Sequence, residues 1–110
     1  MLYTSTRNKD VKVTSAQAIA QGISKDGGLF VPVEIPEISK EFIDSLVPLS
    51  YIERAKKVLS LYLTDYTAEE IDMCVSGAYA EGKFSSEKVS PIKRIEGGAN
   101  ILELWRGPTC

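Results

Sequence analysis

Residues 50 to 79 read SYIERAKKVLSLYLTDYTAEEIDMCVSGAY, and this stretch contains two helix starts of the same kind. Ser50 stands three residues before Glu53, and Thr67 stands three residues before Glu70, which is the spacing of a capping box. Behind each start, apolar residues recur every three or four positions, as on one face of an amphipathic helix. The stretch therefore predicts two successive helices, and it makes the fold mainly helical.

Two more helices are predicted upstream of this stretch. A capping box at Thr14 and Gln17 predicts a short helix that ends near Gly22. Another helix is expected to begin near Ser39 and to end before Pro48. In the first of these helices, the apolar positions that share one face, and that we expect to pack inward, are Ala16, Ile19, Ala20 and Ile23.

Short β-prone runs lie on both sides of the helices. Residues 2 to 6 and residues 29 to 31 predict two strands, and the turn signal Asp26-Gly27-Gly28 precedes the second. Residues 91 to 95 and residues 101 to 105 predict two more strands, joined by a glycine-containing turn. The mixture of helices and segregated short strands indicates the α+β class.

The composition excludes several classes of function. In 110 residues, 13 Lys and Arg against 15 Asp and Glu give a net charge of −2. A sequence-independent nucleic-acid binder needs a basic face instead. The apolar runs are far shorter than the roughly 20 residues that span a bilayer, and no secretory signal opens the chain. We therefore expect a cytoplasmic protein without a nucleic-acid or membrane partner.

The sequence also predicts neither a metal site nor a catalytic cysteine. The chain contains no histidine and only two cysteines, so a metal site is not expected. Cys74 falls on the apolar side of the second helix of the opening stretch, where packing explains it better than nucleophilic catalysis. That helix is expected to end near Gly82.

Three short segments have residue types that occur in ligand sites. Ser5, Thr6 and Arg7 place two hydroxyls and a guanidinium after a strand, which suits a phosphate but also suits a solvated terminus. Asp26-Gly27-Gly28 could offer N–H groups to an anion, or it could be an ordinary β-turn. Arg106-Gly107-Pro108-Thr109 could approach a ligand closely, or it could only connect two elements. The residues alone leave these alternatives open.

Four segments, taken in order, resemble the N-terminal part of the threonine synthase family. They are YTSTR at residues 3 to 7, QGISKDGGLFVP at residues 21 to 32, the helix with Ala55, Val58, Leu59 and Ser60, and ILELWRGPT at residues 101 to 109. One departure stands before the final Gly-Pro-Thr, where this chain has Trp105-Arg106 and family members often have Phe-His. The resemblance covers nearly the whole chain.

This resemblance implies a fold-type II enzyme that uses pyridoxal 5'-phosphate (PLP) and converts O-phospho-L-homoserine and water into L-threonine and phosphate. It implies a helical N-terminal domain over residues 1 to 90 and the start of the PLP-binding α/β domain over residues 91 to 110. In the family, the PLP-binding lysine follows Gly-Pro-Thr by a few positions. We therefore expect no catalytic residue in this chain, which would be an inactive part of a longer protein.

The resemblance also assigns ligand and partner roles. PLP is expected in the full-length parent and not in this chain alone, and the remainder of the synthase chain is the expected partner. The residues that it assigns to the cofactor are Gly107, Pro108 and Thr109, and those that it assigns to the substrate are Ser5, Thr6 and Arg7. Two other hypotheses are a stand-alone helical interaction module and another fold-type II PLP enzyme.

Overall fold

The computed structural model describes residues 1 to 107, and they form an α+β fold of four helices and two antiparallel two-stranded sheets. The predicted fold class is confirmed. No helix in these residues is long and apolar enough to cross a membrane. The elements in chain order are β1 (Tyr3–Ser5), α1 (Ser15–Gln21), β2 (Phe30–Pro32), α2 (Lys40–Leu46), α3 (Tyr51–Tyr62), α4 (Ala68–Ala78), β3 (Ile92–Arg94), β4 (Asn100–Leu102) and a 3-10 turn, Leu104–Arg106.

Each of these helices begins at a hydroxyl side chain, as predicted. The N-cap residues are Thr14, Ser39, Ser50 and Thr67, and each accepts a hydrogen bond from a backbone N–H of the first turn. At α1, α3 and α4 the third helical residue reaches back to the N-cap backbone, which completes the three predicted capping boxes. Such a cap typically stabilises a helix by about 1 kcal/mol, so local sequence determines these starts.

The helix ends follow the sequence less closely. α1 ends at Gly22, whose φ of 74° is a backbone angle that glycine adopts without a steric penalty. The predicted end of α4 at Gly82 is wrong, because the helix ends at Ala78 and Gly82 lies in the following turn. Tyr79, the C-cap of α4, stacks on Phe84 beyond the helix, so the chain turns away before it reaches the glycine.

The first sheet lies against the end of α3. β1 and β2 pair antiparallel with Thr4 opposite Val31. The Tyr3 hydroxyl donates a hydrogen bond to the Tyr62 carbonyl oxygen at 3.2 Å, and the Met1 amino group bonds the Thr64 hydroxyl. These contacts attach the start of the chain to the loop between α3 and α4.

Asp65 in the same loop attaches α1 to the helix pair. Its carboxylate accepts hydrogen bonds from the backbone N–H groups of Ser15, at 3.2 Å, and of Ala16, at 3.0 Å. The fully buried Ser15 hydroxyl also donates to it. Hydrogen bonding from this hydroxyl is the largest cause that holds the pKa of Asp65 far below the usual carboxyl value. The carboxylate therefore serves as a second, tertiary cap on α1.

The face of α1 that packs inward is not the predicted one. The structure buries Ser15 and Ala18 instead. The hydrogen bonds to Asp65 draw this side of the helix onto the α3–α4 loop, and both side chains are small enough for close approach. All four residues that we expected to pack inward are exposed, namely Ala16, Ile19, Ala20 and Ile23.

α4 keeps only part of its predicted inward face. Ile71 and Val75 are buried, as expected. Cys74, which we expected to be packed, is exposed and unpaired. It lines an apolar groove of about 250 Å³ together with Ile19 of α1 and Leu63 at the end of α3. The thiol is therefore not part of a core.

The second sheet is a hairpin, and its second strand is shorter than predicted. β3 and β4 pair antiparallel, with Ile92 opposite Leu102. The prediction of a strand over residues 101 to 105 is wrong beyond Leu102, because Leu104–Arg106 forms a 3-10 turn. The turn is closed by an ion pair between Glu103 and Arg106, three residues apart. Every residue of β3 and β4 is solvent-exposed, so neither face of the hairpin is covered by the described residues.

The chain buries little apolar surface for its size. Its accessible surface is 8249 Å², whereas a compact protein of 12.1 kDa exposes about 6,000 Å². Its radius of gyration is 16.4 Å, against about 13 Å for a compact domain of this length. Large apolar side chains remain exposed on α1 at Ile19 (59%), on β3 at Ile92 (69%) and at Trp105 (66%). Such surface is typical of a protein region that packs against another region.

Candidate functional site

Two polar segments, one on each side of α1 in the sequence, form a single hydrogen-bonded group. Ser5 Oγ donates to Asp26 Oδ1 at 2.8 Å, and the Gly28 N–H donates to the same oxygen at 2.8 Å. The Arg7 N–H donates to Ser5 Oγ at 3.1 Å, and Arg7 Nη1 donates to the Asp26 carbonyl oxygen at 3.3 Å. The fold thus unites two of the three predicted segments. We call residues 5 to 7 and 26 to 28 the polar cluster.

Backbone hydrogen bonds connect the polar cluster to its surroundings. The Thr6 N–H donates to the Leu29 carbonyl oxygen at 2.9 Å, and the Leu29 N–H donates to Thr6 Oγ1 at 3.0 Å. The Gly27 N–H donates to the Ser24 carbonyl oxygen at 2.8 Å, and the Ser24 N–H donates to the Gly28 carbonyl oxygen at 2.9 Å. The turn is therefore closed on itself and tied to the residues that follow β1.

Both glycines of the turn are required, for different reasons. Gly27 has a φ of 78°, and a Cβ there would also lie 2.9 Å from Arg7 Nη1. A Cβ on Gly28 would overlap Ser5 Oγ and lie 3.1 Å from the Arg7 backbone nitrogen. Gly27 is thus needed mainly for its backbone angle, and Gly28 for the close approach of the two segments.

The polar cluster holds one fixed negative charge beside one exposed positive charge. Hydrogen bonds from the Gly28 N–H, and next from the Ser5 hydroxyl, hold the pKa of Asp26 below its usual value, and the Arg7 charge acts in the same direction. The guanidinium of Arg7 is exposed, and its one hydrogen bond to the described residues uses Nη1. Its other N–H groups are available to an anion.

The three residues assigned to the substrate differ in accessibility. Thr6 and Arg7 are exposed, but Ser5 is only 1% exposed, and its hydroxyl is hydrogen-bonded within the cluster. In this arrangement Ser5 holds Asp26 and Arg7 in place. Substrate binding by Ser5, Thr6 and Arg7 stays a prediction.

The segment assigned to the cofactor is described only as far as Gly107, and Pro108 and Thr109 lie outside the described residues. The Ser85 N–H donates to the Arg106 carbonyl oxygen at 3.1 Å. The Arg106 guanidinium pairs with the carboxylate of Glu103, a buried residue. Arg106, which stands where family members often have histidine, is therefore half-buried, and its guanidinium is paired with a carboxylate of the same turn. No hydrogen bond among the described residues joins this segment to the polar cluster.

Sequence reasoning missed the residues that surround Gly107. Phe84 and Ser85 lie between the last predicted helix and the third predicted strand, and the sequence predicted no functional role for them or for Tyr51 and Tyr79. In the structure the rings of Tyr51, Tyr79 and Phe84 follow one another in contact. The signal that could have indicated this is the aromatic Phe84 within the polar run KFSSEK. Among residues 1 to 107, no group of three acidic, histidine or cysteine side chains could hold a metal ion.

The sequence comparison gives matches to one family. Residues 2 to 79 match the family model described as the threonine synthase N terminus. The chain is 35% identical to the threonine synthase of Schizosaccharomyces pombe over 109 residues, which are 97% of this chain and 21% of that protein. It is 34% identical to the threonine synthase of Escherichia coli over 104 residues, which are 94% of this chain and 23% of that protein.

The fold comparison agrees with the sequence comparison. The crystal structure of PLP-bound threonine synthase from Brucella melitensis matches with a TM-score of 0.82 and 33% identity. This match covers 98% of the present chain and 23% of that structure's chain. The chain therefore spans between a fifth and a quarter of the length of these three threonine synthases.

Proposed function

Since this chain belongs to the threonine synthase family, matching its N-terminal region, we propose that it is the N-terminal part of an enzyme that converts O-phospho-L-homoserine and water into L-threonine and phosphate. This is the last step of threonine biosynthesis. The observation that carries the proposal is the ordered match over nearly the whole chain, at both sequence and fold level, to threonine synthases. The remaining length of such an enzyme is the proposed partner of the exposed apolar surface.

The proposed division of the chain falls at residue 90. Residues 1 to 90 form the N-terminal domain, and residues 91 to 110 begin the catalytic α/β domain. Two observations support this division. The family model ends at residue 79, and the β3–β4 hairpin begins at Ile92 with every strand residue exposed. A two-stranded hairpin is marginally stable alone and needs further strands or a packed face.

The exposed donors of the polar cluster, Thr6 and Arg7, suit a phosphate group. Neither of them lines the apolar cavities beside α1, α3 and α4. PLP, when bound in such an enzyme, acts as an electron sink. We propose that the remaining part of the enzyme holds it, together with Gly107, Pro108 and Thr109, and that this chain alone is inactive.

The proposed role of the polar cluster is to present Arg7 to the phosphate of the substrate. A guanidinium binds a phosphate through paired, charge-assisted hydrogen bonds, and such bonds are worth more when the donor is held in place. Ser5 Oγ accepts a hydrogen bond from the Arg7 backbone N–H, and the Asp26 carbonyl oxygen accepts one from Arg7 Nη1. The cluster would therefore favour substrate binding rather than proton transfer.

A chimeric enzyme tests the proposed function. This chain replaces the matched N-terminal segment of the Escherichia coli threonine synthase, and phosphate release from O-phospho-L-homoserine is measured. We expect the chimera to release phosphate and the 110-residue chain alone to release none. A folded, PLP-loaded chimera without phosphate release would contradict the proposal.

Two variants of the chimera test the role of Arg7. Arg7→Gln should raise KM for the substrate by about tenfold or more, as expected for the loss of a charged hydrogen bond. Lys12→Gln, which removes the same charge from an exposed residue five positions further along the chain, should leave KM within about twofold, because an exposed charge outside the site is worth little. Equal effects of the two substitutions would show that Arg7 acts only through net charge.

A further inference from the structure

Phe84 lies against the backbone of Gly107, the residue that opens the Gly-Pro-Thr segment. A Cβ placed on Gly107 would overlap the Phe84 ring. The Gly107 backbone is extended, with φ −101° and ψ 167°, so its dihedral angles do not require glycine. The close approach of the ring is therefore the reason that the structure gives for a glycine at this position.

Ser85, the residue after Phe84, binds Arg106, the residue before Gly107. Its backbone N–H and its hydroxyl donate to the Arg106 carbonyl oxygen, at 3.1 and 3.4 Å. Phe84 and Ser85 thus contact two consecutive peptide units of the segment. One contact is directional and the other is steric, so together they fix both the position and the orientation of the chain at Gly107.

The Phe84 ring is itself held by two helices. It stacks on Tyr79 at the end of α4, with ring centroids 5.5 Å apart and an interplanar angle of 16°. Tyr79 packs edge-on against Tyr51 at the start of α3, with centroids 5.0 Å apart and an angle of 61°. Both arrangements are favourable for aromatic rings. We call Tyr51, Tyr79 and Phe84 the aromatic stack.

The loop that carries Phe84 is also fixed at its other end. Val89 is buried and has a φ of 61°, an angle that a β-branched residue adopts only where its surroundings enforce it. The Ser90 N–H donates to the Lys88 carbonyl oxygen at 2.7 Å, which closes a tight turn around Val89. The Glu103 N–H donates to the Pro91 carbonyl oxygen at 3.0 Å. The loop is therefore braced from α4 to the hairpin.

We infer that Phe84 is a positioning residue, which transmits the placement of α3 and α4 through the aromatic stack to Gly107. It fixes the point from which the Gly-Pro-Thr segment continues. The inference rests on the proposed function, because this point matters to the reaction only if that segment borders the cofactor. The helical N-terminal region would then do more than cover the catalytic domain, since it would align one wall of its site.

Proton NMR of the 110-residue chain tests the contact itself. The ring current of Phe84 should change the chemical shifts of the Gly107 α-protons relative to the Phe84→Leu variant, and the Phe84→Tyr variant should keep the shifts of the unmodified chain. Gly77, which has no side-chain neighbour within 4 Å of its Cβ position, is the internal control and should not change. Identical Gly107 shifts in the unmodified chain and in Phe84→Leu would overturn the inference.

Kinetics of the chimeric threonine synthase test the consequence. Phe84→Leu should lower kcat by about 10- to 100-fold, the loss typical of a displaced reacting group, and should change KM less. Phe84→Tyr should restore kcat. Phe84→Leu combined with Gly107→Ala should be no worse than the poorer single variant, because residues that act as one unit are not additive.

The outcomes separate the two proposals. Full activity of Phe84→Leu, or losses that multiply in the double variant, would overturn the positioning role while leaving the proposed function intact. An unmodified chimera that fails to release phosphate would contradict the proposed function, and the positioning role would fall with it. The NMR result would then report only a structural contact.

Discussion

The polar cluster and the β3–β4 hairpin are both small structures, yet they differ in the contacts that hold them together. The cluster joins residues about twenty positions apart through side-chain hydrogen bonds, and it buries Ser5 almost completely. The hairpin is held by the backbone pairing of its two strands, and every residue of these strands is exposed. The cluster is therefore held by contacts within residues 1 to 107, whereas these residues provide no covering layer for the hairpin.

The strongest test of this comparison is the close approach at Gly28. Gly28→Ala should lower the free energy of unfolding by about 3 kcal/mol, at the upper end for overpacking, because the new Cβ meets Ser5 and the Arg7 backbone. Urea unfolding measures the change. Gly77→Ala in α4 is the matched control, since its Cβ meets nothing within 4 Å and alanine favours the helix. If both variants were equally stable, the cluster would not be tightly packed.

The next largest effect is expected at Asp65. Asp65→Ala should destabilise the chain by about 2 kcal/mol, because α1 loses a cap and the buried Ser15 hydroxyl loses its partner. Thermal unfolding of both proteins measures the loss. Asp72→Ala, which removes the ion pair that the exposed Asp72 makes with Lys56 at 2.5 Å, is the control and should cost less than about 1 kcal/mol.

Asp65 also predicts a dependence on pH. Because the pKa of Asp65 is lowered in the folded state, its stabilisation is complete above the ordinary carboxyl value of 3.8 and is lost as the pH falls below it. The stability difference between the unmodified chain and Asp65→Ala should therefore shrink as the pH falls from 6 toward 3. A difference that stays constant over this range would show that the carboxylate charge is not involved.

A smaller effect on stability is expected at Val89, where substitution by glycine should be tolerated better than substitution by alanine. At a φ of 61°, glycine is favoured over alanine by about 1 kcal/mol, so Val89→Gly should be more stable than Val89→Ala. At Val58 in α3 the alanine variant should instead be more stable than the glycine variant, because glycine weakens a helix. Chemical denaturation of the four variants decides this. The same order at both positions would contradict the observed turn.

The smallest effect is expected in the hairpin. Ile92→Thr keeps a β-branched residue at a position that is 69% exposed, so it should change the stability of this chain by less than about 0.5 kcal/mol. In the chimeric enzyme the same substitution should cost clearly more, because the proposed catalytic domain would cover Ile92. Equal costs in the two proteins would show that the hairpin remains uncovered, contrary to the proposed division of the chain.

The candidate site could be predicted from the sequence only in pieces. Ser5, Thr6 and Arg7 and the turn Asp26-Gly27-Gly28 were identifiable because hydroxyls, guanidinium groups and paired glycines are recognisable locally. Their union depends on the path of α1 between them, which no local pattern encodes. Phe84 was missed for the same reason, since its contact with Gly107 joins residues twenty-three positions apart in the sequence.

The sequence by itself determined the helix starts, the end of α1 and the two glycine turns, because each depends on hydrogen bonds or backbone angles within a few residues. It also determined the family, through motifs in a fixed order. Only the tertiary structure decided which face of α1 packs inward, where α4 ends and what surrounds Gly107. Burial depends on which surfaces meet, and a single carboxylate at Asp65 outweighed the apolar stripe of α1 by bonding its opposite side.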